Sequence, residues 1–501
     1  MALLTHADYE QIASGLSFQT KALIDGSFVE SPSGKTFATE NPATGKLLAE
    51  VTACDDRDVD AAVAAARRAF ADKRWAGLKP VTRKEILLRF ARLIREHLDE
   101  LAVIETLDSG KPIFDNAQGD VPETADCIGW YAEAIDKLEE EITATGPENL
   151  SLIVRDPIGV VGAILPWNFP LLMAAWKLGP ILATGNSVVV KPAKLTSLSM
   201  LRLAELALEA GIPDGVLNVL PGSGATIGKA ITLHPDVDLV TFTGSTEVGR
   251  ELLTYSGQSN LKRILLELGG KNPCIVMPAA ADLDAAAEGA AQAVFWNMGE
   301  NCSSNSRLIV HKSIHDTFVE KLLEKSGLWK TGNPLDPRFN LGALIERRHQ
   351  DSILGYIEKG KAEGADLVLG GRQILQQTGG YFIEPTIFTG VSPDMTIARE
   401  EIFGPVLAVL VCEDEADAIR LANDTQYGLH ASLWSDDLHQ VTRMSRAIRA
   451  GTISVNCFSE GDFTTPFGGF KQSGFFGRDK SLHACRQYTE LKTIWMAIRS
   501  A

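Results

Sequence analysis

Short apolar runs alternate with longer stretches of helical spacing in the middle of the chain. The apolar runs between Val160 and Met277 are VVGAIL, SVVVKP, GVLNVL, DLVTFTG, KRILLEL and NPCIVM. Most of the stretches between them carry apolar residues every three or four positions and end in Gly, as in LLMAAWKLGPILATG, SLSMLRLAELALEAG and TEVGRELLTYSG. Short strands separated by helices predict βα units, and hence a parallel sheet with helices on its faces.

A second alternation of strands and helices runs from Ser306 to Asn456. Its strand candidates are RLIV, DLVLGG, VLAVLV and TISVN. Ahead of the first alternation, two stretches have apolar residues at helical spacing, and these are DVDAAVAAARRAFADKRW and VTRKEILLRFARLIREHLDELAVIETLDSG. We therefore predict an α/β protein in which amphipathic helices precede two α/β domains.

Two strand-like segments have no neighbour along the chain with which to pair. They are SLIVRDPIG, from Ser151 to Gly159, and YTELKTIWMAI near the end of the chain. An exposed strand edge usually finds a second strand, and we expect a partner chain to supply it here. Pairing of the segments inside one chain is the alternative.

Composition limits the possible classes of function. The chain has 501 residues, 45% of them hydrophobic and 22% charged, which is enough for two or three globular domains. The formal net charge of −16 argues against a nucleic-acid binder and against a protein of anionic membrane surfaces. No apolar run reaches the roughly 18 residues of a membrane span, and no secretory signal precedes the first domain, so we expect a cytoplasmic protein. The seven scattered cysteines lack C-x-x-C spacing, which argues against disulfides and against a metal site.

Several polar residues lie at predicted strand ends, where ligands of parallel sheets bind. The turn from Phe242 to Gly249 joins a strand to a helix and offers free N–H groups to a phosphate, although such a turn is often only structural. Lys191 ends another strand of the same sheet, and two such turns favour a dinucleotide. Asn168 is either a turn residue or an amide donor to an oxyanion. Glu267, which precedes two glycines, is either a base or a solvated charge.

The stretch FWNMGENCSS carries the most information about chemistry. An Ala-rich helix is predicted to end near Trp296, Gly299 allows a sharp turn, and Cys302 follows in a polar loop. A nucleophilic thiolate needs access and nearby dipoles rather than burial, so Cys302 is a candidate nucleophile. A chemically silent cysteine is the alternative interpretation.

Taken together, these segments resemble the aldehyde dehydrogenase superfamily over nearly the whole chain. Seven motifs correspond in order, and they are PWNFP, KP-x-x, FTGS, LELGGK, the G-x-x-C that ends at Cys302, EIFGPV and PFGGFKQSG. The resemblance implies the aldehyde dehydrogenase fold: a Rossmann-type cofactor domain, a second α/β catalytic domain and a small β-strand oligomerisation arm. It places the NAD(P)-binding domain at residues 1–139 and 160–267, the catalytic domain at 268–480, and the arm at 140–159 and 481–501, in a homodimer or homotetramer.

The resemblance also implies roles for single residues. Cys302 matches the nucleophile, Glu267 the general base, and Asn168 the side-chain donor to the oxyanion, with the Cys302 backbone N–H as its partner. Lys177 matches a cationic residue near Glu267 and the cofactor. The implied cofactor contacts are Trp167, Lys191, Lys194, Gly244, Ser245, Glu401 and Phe403. The implied substrate contacts are Trp176, Phe295, Trp296, Phe458, Glu460 and Asp462.

The implied reaction is the oxidation of an aldehyde to its carboxylic acid with NAD(P)+. The Cys302 thiolate adds to the aldehyde, and Asn168 stabilises the resulting alkoxide. Hydride transfer to the cofactor leaves a thioester, which is hydrolysed by a water molecule that Glu267 deprotonates. No metal is expected, because the cofactor accepts the electrons. We expect NAD+ ahead of NADP+, although Lys194 stands where relatives often carry a Glu that repels a 2′-phosphate.

Two other positions depart from the family pattern. Glu300 stands where the family often has Gln, and a carboxylate near the sulfur would raise the pKa of the thiol, so we expect Glu300 to point away. The segment GFFG, at residues 474–477, has one more residue between its glycines than relatives usually have.

Three stretches favour one branch of the family. The stretches EGD, GRDKSLHA and YTELKTIW are similar to those of the branch that oxidises γ-glutamyl-γ-aminobutyraldehyde and 4-guanidinobutyraldehyde. Glu460 and Asp462 beside aromatic rings suit a cationic end of the substrate, although either alone fits a solvated loop acid equally well. We expect ω-amino, ω-guanidino or γ-glutamylamino aldehydes, with betaine aldehyde or a general aliphatic or aromatic aldehyde as alternatives. A CoA-acylating enzyme and a non-catalytic relative are disfavoured, because Glu267, Asn168 and Cys302 occur together.

Overall fold

The computed structural model describes residues 3–498, so the outermost residues of the predicted cofactor domain and arm, 1–2 and 499–501, lie outside it. The strands are β1 Ala22–Ile24, β2 Ser27–Val29, β3 Thr36–Asn41, β4 Lys46–Thr52, β5 Glu141–Ile142, β6 Asn149–Pro157, β7 Val160–Ile164, β8 Ser187–Lys191, β9 Leu217–Val219, β10 Leu239–Thr243, β11 Arg263–Glu267, β12 Pro273–Val276, β13 Arg307–His311, β14 Asp366–Leu369, β15 Gln373–Ile374, β16 Phe382–Ile383, β17 Thr386–Thr389, β18 Val406–Cys412, β19 His430–Trp434, β20 Thr452–Val455, β21 Gly474–Phe475 and β22 Thr489–Ala497. The helices are α1 His6–Gly15, α2 Asp56–Ala71, α3 Pro80–Glu96, α4 Leu98–Ser109, α5 Ile113–Asp115, α6 Val121–Ala134, α7 Pro170–Ala183, α8 Leu198–Ala210, α9 Lys229–Leu233, α10 Thr246–Gln258, α11 Leu283–Phe295, α12 His315–Ser326, α13 Arg347–Ala362, α14 Thr396–Arg399, α15 Glu415–Asn423, α16 Leu438–Ala447 and α17 Ser481–Gln487.

The first sheet has the strand order β2-β1-β9-β8-β7-β10-β11-β21. Strands β9, β8, β7, β10 and β11 run parallel, as the alternation of apolar runs and helices predicts. Every residue of β7, β8 and β10 is buried, which is typical of a parallel sheet covered by helices on both faces. The carboxyl ends of β8, β10 and β11 therefore meet at one edge, and they bring Lys191, Thr243 and Glu267 to it.

The second sheet has the order β14-β17-β18-β13-β12-β19-β20. Strand β12 belongs to this sheet, so the expectation that all six apolar runs up to Met277 share one parallel sheet is wrong for the last of them. The connection from β11 to β12 is only Leu268–Asn272. A parallel neighbour in the same sheet would need a crossover of about a dozen residues, so a link this short has to enter a new sheet.

The two strands predicted to seek a partner chain pair with each other. β22 and β6 are antiparallel along their whole length, from Thr489 opposite Pro157 to Ala497 opposite Asn149, and β5 completes the sheet. The alternative of pairing inside one chain is thus the observed one. β22 is nevertheless an edge strand within the described residues, and its side chains from Glu490 to Ala497 are exposed.

A buried amide helps to attach this small sheet to the first sheet. Asn186 accepts a hydrogen bond from the N–H of Gly159 at 3.0 Å and donates to the carbonyls of Tyr488 at 3.0 Å and Ile181 at 3.2 Å. Gly159 and Tyr488 immediately precede β7 and β22, and Ile181 lies on α7.

Within residues 3–498, none of the helices has both the length and the apolar run needed to cross a bilayer.

Candidate active site

A cavity of about 1280 Å³ opens at the carboxyl edge of the first sheet and extends to the second sheet's loops. Most of the residues singled out from the sequence line it, and they are Trp167, Asn168, Trp176, Lys191, Lys194, Gly244, Ser245, Glu267, Trp296, Cys302, Glu401, Phe403, Phe458, Glu460 and Asp462. Motifs spread over nearly 300 positions of sequence thus meet in one place. The two exceptions are Lys177 and Phe295.

Phe295 is fully buried and does not reach the cavity. It ends α11 in the core of the second domain, and its ring lies 5.9 Å from that of Trp329. The next residue, Trp296, turns to the cavity because the helix ends between them. The expectation that Phe295 contacts the substrate therefore does not fit its position.

Lys177 lies one layer behind the cavity wall. It is buried on α7, and its Nζ donates to Asp479 Oδ2 at 2.6 Å, while Asp479 itself lines the cavity. The ammonium is still close enough to Glu267 to lower the pKa of that carboxyl. Lys177 thus acts on the site through charge rather than by lining the cavity.

The segment before Cys302 has an unusual backbone. Asn297, Met298 and Gly299 are successive residues in the left-handed region, with φ of 52°, 56° and 70°. A Cβ on Gly299 would lie 2.2 Å from the carbonyl oxygen of Gly404, so only glycine fits there. Non-glycine residues held in this region are strained and occur often at functional sites. The strain is located in the turn that presents Cys302.

A hydrogen bond to its backbone carbonyl fixes Cys302, and several carboxyl groups lie near its thiol. Asn272 Nδ2 donates to the Cys302 carbonyl at 2.8 Å. Burial raises the pKa of the Cys302 thiol well above its usual range, and the carboxyl groups of Glu460, Glu401 and Glu267 raise it further. Glu300 is not among them, because its Oε1 accepts from the N–H of Ile345 at 3.0 Å and points away from the sulfur, as expected.

The Asn168 amide is oriented towards the same sulfur-bearing loop. Its Nδ2 donates to the carbonyl of Glu300 at 3.0 Å, and the backbone carbonyl of Asn168 accepts from Asn297 Nδ2 at 3.1 Å. A primary amide has two N–H donors, so one remains for a ligand in the cavity. The arrangement suits an oxyanion formed beside Cys302.

Glu267 is a buried carboxyl at the end of β11. Its burial, and then the negative charge of Asp479, raise the pKa of the carboxyl well above its usual range, while Lys177 and Arg478 act in the opposite direction. A Cβ on Gly468 or Gly477 would lie 2.8 Å from Glu267 Oε1, so those glycines make the room in which the carboxyl lies. A buried carboxylate with a raised pKa is a stronger base than one in water.

The other half of the cavity has groups that suit a dinucleotide. Lys191 is buried at the end of β8, and burial lowers the pKa of its ammonium to about 8. Ser245 caps α10 by accepting from the N–H of Val248 at 3.3 Å, so the first turn of that helix faces the cavity. Backbone N–H groups at a helix start and a nearby ammonium bind a diphosphate. Glu401 Oε1 accepts from the N–H of Gly270 at 2.8 Å, which leaves its other oxygen for a ribose hydroxyl.

Two aromatic rings border this half of the cavity. Trp167 and Phe403 meet edge to face, with ring centroids 5.3 Å apart. Phe403 has a φ of 57°, a strained value that sets the direction of its side chain. Lys194 is exposed at the rim, with its Nζ 5.4 Å from the centre of the Phe37 ring. It is therefore free to meet solvent or an added phosphate.

Three acidic residues at the substrate side of the cavity were not predicted from the sequence. Asp115, Asp120 and Glu123 all line it. Asp115 ends α5, Asp120 ends the π-helical turn Asn116–Asp120 that joins α5 to α6, and Glu123 lies in the first turn of α6. A π turn shifts the helical register, so the spacing of these acids does not fall on one α-helical face, although π turns are themselves frequent at functional sites. Lys111 forms a buried ion pair with Asp120 and lies 3.7 Å from the centre of the Phe169 ring.

The mouth loop, residues 458–462, forms the opposite wall. Ser303 Oγ, in the residue after Cys302, donates to Glu460 Oε1. Lys480, which was also not predicted from the sequence, is buried and donates to the carbonyls of Glu460 at 2.7 Å and Gly461 at 3.2 Å. Asp462 is exposed, and its Oδ1 accepts from both the N–H and the hydroxyl of Thr464, at 2.8 and 2.6 Å.

The chain is similar to known proteins along its whole length. A model of the aldehyde dehydrogenase family matches residues 28–494. Aminoacetaldehyde dehydrogenase of Pseudomonas aeruginosa is 53% identical over 494 residues, which cover 99% of each protein. The crystal structure of an indole-3-acetaldehyde dehydrogenase complexed with NAD+ has a TM-score of 0.98 and 53% identity, covering 99% of this chain and 100% of that one. A γ-glutamyl-γ-aminobutyraldehyde dehydrogenase of Burkholderia cenocepacia has a TM-score of 0.97 and 53% identity, with the same coverage.

The lack of space around Gly269 allows a test of the half of the cavity that suits a dinucleotide. A Cβ there would lie 2.1 Å from Glu401 Oε2, so we expect Gly269→Ala to displace the Glu401 carboxylate without unfolding the chain, because a flexible side-chain end can move. Loss of the hydrogen bonds of the Glu401 carboxylate should weaken binding of NAD+ by about tenfold or more. Fluorescence titration of the unreacted protein measures this. Gly257→Ala is the matched control, since no atom lies within 4 Å of a Cβ there, and equal affinities in the two variants would contradict the prediction.

Proposed function

The chain belongs to the aldehyde dehydrogenase family and is an oxidoreductase that uses a nicotinamide cofactor, and we propose that Cys302 is its nucleophile, Glu267 its general base and Asn168 its oxyanion donor. One observation carries this assignment. A thiol, a carboxyl group with a raised pKa and an oriented amide line the same cavity as the helix start and buried ammonium that suit a dinucleotide. Three groups in these roles, together with a cofactor that accepts two electrons, suffice for oxidation of an aldehyde to its acid.

The proposed reaction begins with addition of the Cys302 sulfur to the aldehyde carbon. The raised pKa keeps the thiol protonated near neutral pH, so its proton has to pass to a base. The carboxyl groups of Glu460, Glu401 and Glu267 all act on the thiol through their charge, and Glu267 is the one proposed to take the proton, because its own pKa is raised well above its usual range. The charge that forms on the aldehyde oxygen is stabilised by Asn168 Nδ2 and the Cys302 N–H. When bound, the cofactor accepts the two electrons of the oxidation as a hydride. Glu267 releases the thiol proton to solvent and, ionised again, takes a proton from the water that hydrolyses the thioester.

The cofactor is proposed to lie between Lys191, the start of α10 at Gly244 and Ser245, and Glu401. The buried ammonium of Lys191 and the helix start supply the positive potential that a diphosphate needs. Trp167 and Phe403 border the same region, and Lys177 adjusts the charge at Glu267. We propose NAD+ as the preferred cofactor with NADP+ also accepted, because exposed Lys194 does not repel a 2′-phosphate. Comparing kcat/KM with the two cofactors tests this order.

We also propose an assignment of domains and of the assembly. The cofactor domain comprises residues 1–139 and 160–267, the catalytic domain 268–480, and the arm 140–159 and 481–501, as a homodimer or homotetramer. Support comes from β22, an edge strand with exposed Leu491, Ile494 and Trp495. An apolar strand edge of this kind is usually covered by another chain. A sedimentation mass equal to one chain would contradict the proposal.

The proposed substrates are ω-amino, ω-guanidino or γ-glutamylamino aldehydes. Acidic side chains line the substrate side of the cavity, and they are Asp115, Asp120, Glu123, Glu460 and Asp462. Asp120 is already paired with buried Lys111, and burial raises the pKa values of Asp115 and Glu123 to about 7. Lys480 donates to two carbonyls and lies 4.9 Å from the centre of the Trp176 ring, so a charged end of a substrate would reach Glu460 rather than the face of Trp176.

An aromatic aldehyde is the second candidate substrate. The aromatic side chains that line the cavity favour it, and they are Phe169, Trp176, Trp296, Phe458, Phe463 and Phe467. Rings of this kind bind an aromatic substrate through apolar burial and edge-to-face contacts. The similar indole-3-acetaldehyde dehydrogenase is named for an aromatic substrate, which supports this candidate. A kinetic panel of amino, alkyl and aromatic aldehydes separates the two.

Cys302→Ala tests the central assignment. We expect it to lower kcat for any aldehyde by about 10³-fold or more, because the covalent step is lost. Cys457→Ala is the matched control, since Cys457 is an exposed free cysteine just before the mouth loop. A Cys302→Ala protein that keeps more than a few per cent of the activity would rule out the proposed nucleophile, whereas equal losses in both variants would point to misfolding.

The Lys177–Asp479 pair yields a test by pH dependence. Only the ionised form of Glu267 is a base, so kcat should rise as the pH passes through its raised pKa. Asp479→Asn removes a charge that raises this pKa, and the rising limb should move to lower pH. Lys177→Met removes a charge that lowers the pKa, and the limb should move to higher pH. Rate profiles measured at saturating substrate give both shifts.

The control for this test is the double variant Lys177→Met/Asp479→Asn. Removing one partner of a buried pair costs about 3–5 kcal/mol of stability, whereas removing both avoids an unpaired charge. Its rising limb should lie between those of the single variants. Shifts of both single variants in one direction would show that the pair does not set the basicity of Glu267.

Glu460 and Asp462 yield a test of the substrate class. Glu460→Gln should lower kcat/KM for 4-aminobutyraldehyde by about tenfold relative to pentanal, because it removes a carboxylate in a partly desolvated site. Asp462→Asn should change the same ratio by less than about threefold, since an exposed charge contributes little and Thr464 already binds this carboxylate. If the ratio is unchanged in Glu460→Gln, the cationic substrate class is wrong.

A further inference from the structure

A fully buried histidine lies beneath the mouth loop. His430 begins β19, and its Nε2 lies 3.0 Å from the carbonyl oxygen of Ser459, while its Nδ1 lies 3.0 Å from Asn305 Nδ2. A carbonyl oxygen only accepts, so Nε2 carries the proton and Nδ1 accepts from the amide. The tautomer of His430 is thus fixed by its two neighbours.

The amide that binds His430 is itself fixed from all sides. Asn305 Nδ2 also donates to the carbonyl of Ser303 at 3.2 Å, and Asn305 Oδ1 accepts from Ser432 Oγ at 2.6 Å. Ser432 in turn lies 3.0 Å from the hydroxyl of Ser454. All of these side chains are buried, and a buried polar network with every member satisfied holds one arrangement rigidly.

These hydrogen bonds form a closed ring of contacts between the mouth loop and the loop that carries Cys302. From His430 the ring passes to Ser459, then through Glu460 to Ser303, and returns through Asn305. Ser303 is the residue after Cys302. The ring therefore sets the distance between the Glu460 carboxylate and the sulfur, although His430 does not line the cavity.

We propose that His430 is a positioning residue for substrate specificity, which holds the mouth loop by its Nε2–H so that Glu460 faces the charged end of the aldehyde. The inference rests on the proposed cationic substrate class. Burial lowers the pKa of the His430 imidazole to about 4, so the ring stays neutral and the tautomer persists over the working range of pH. The Phe458 ring, whose centroid lies 5.3 Å from that of the His430 ring, packs against the imidazole and also holds the loop.

Two substitutions of His430 separate its two hydrogen bonds. The amide of Gln reaches about as far as Nε2, so His430→Gln keeps a donor to Ser459, whereas the amide of Asn reaches only as far as Nδ1. We expect His430→Asn to lower the ratio of kcat/KM for 4-aminobutyraldehyde to that for pentanal at least fivefold, through KM of the amine. His430→Gln should change the ratio less than twofold. His315→Asn, on α12, controls for the substitution itself.

A purely structural role would lower both substrates alike and would not distinguish Gln from Asn, and that result would overturn the proposal. Hydrogen–deuterium exchange of the peptide 457–463 gives a second measurement that needs no substrate. Exchange should be faster in His430→Asn than in His430→Gln and the parent protein, and equal rates in the two variants would also overturn the proposal. A parent protein that does not prefer the amine to pentanal contradicts the substrate class alone, and the exchange rates then decide whether His430 positions the loop.

Discussion

The short connection between the two sheets is the constraint on which the rest of the site depends. Leu268–Asn272 links β11 directly to β12, so Glu267 at the end of one sheet lies only a few residues from the start of the other. Along this link the N–H of Gly270 binds Glu401, and the amide of Asn272 binds the carbonyl of Cys302. A Cβ on Gly270 would lie 2.5 Å from that carbonyl oxygen. Five residues thus connect Glu267, Glu401 and the loop that carries Cys302, which are the proposed base, ribose contact and nucleophile.

Burial sets the protonation state of this assembly. The pKa of the Glu401 carboxyl rises to about 7, and those of Glu267 and Cys302 also rise, in each case mainly through burial. Several acids can therefore lie close together because they are not all ionised at once, which would be costly in a medium of low dielectric. The same burial makes Glu267 a strong base once it ionises. The compactness of the site and its basicity thus have one physical cause.

The strand ends were predictable from sequence because each combines a local pattern with a distinctive polar residue. Lys191, Glu267 and the turn at Ser245 follow apolar runs that cannot be anything but buried strands, and parallel strands bring their ends to one edge. The nucleophile turn was predictable at Gly299 for a similar reason. The sheet that receives β12 was not, because the apolar run looks alike in either sheet and only the length of the preceding link excludes the first.

Other parts of the site depend on tertiary contacts that no local pattern reports. Asp120 faces the cavity because a π turn shifts the register of its helix, and Phe295 faces the core because α11 ends one residue before Trp296 turns outward. His430 lies in a short strand of mixed polarity, and its partners come from residues 305 and 459. The arm strands were recognised individually, but their pairing joins segments more than 300 residues apart.

Substrate choice, as proposed, depends on how the carbonyls of the mouth loop are held as much as on which acids line the cavity. The Lys480 ammonium would cancel a carboxylate if it paired with one, but it donates to the backbone of Glu460 and Gly461 instead. His430 takes the preceding carbonyl, so side chains rather than a strand ladder hold three successive carbonyls of the mouth loop. Neither His430 nor Lys480 uses a side-chain oxygen of Glu460 for these bonds, so the Glu460 carboxyl group still faces the cavity. A relative that has Glu460 but lacks either His430 or Lys480 would keep the acidic side chain, but that side chain would no longer be held facing the cavity.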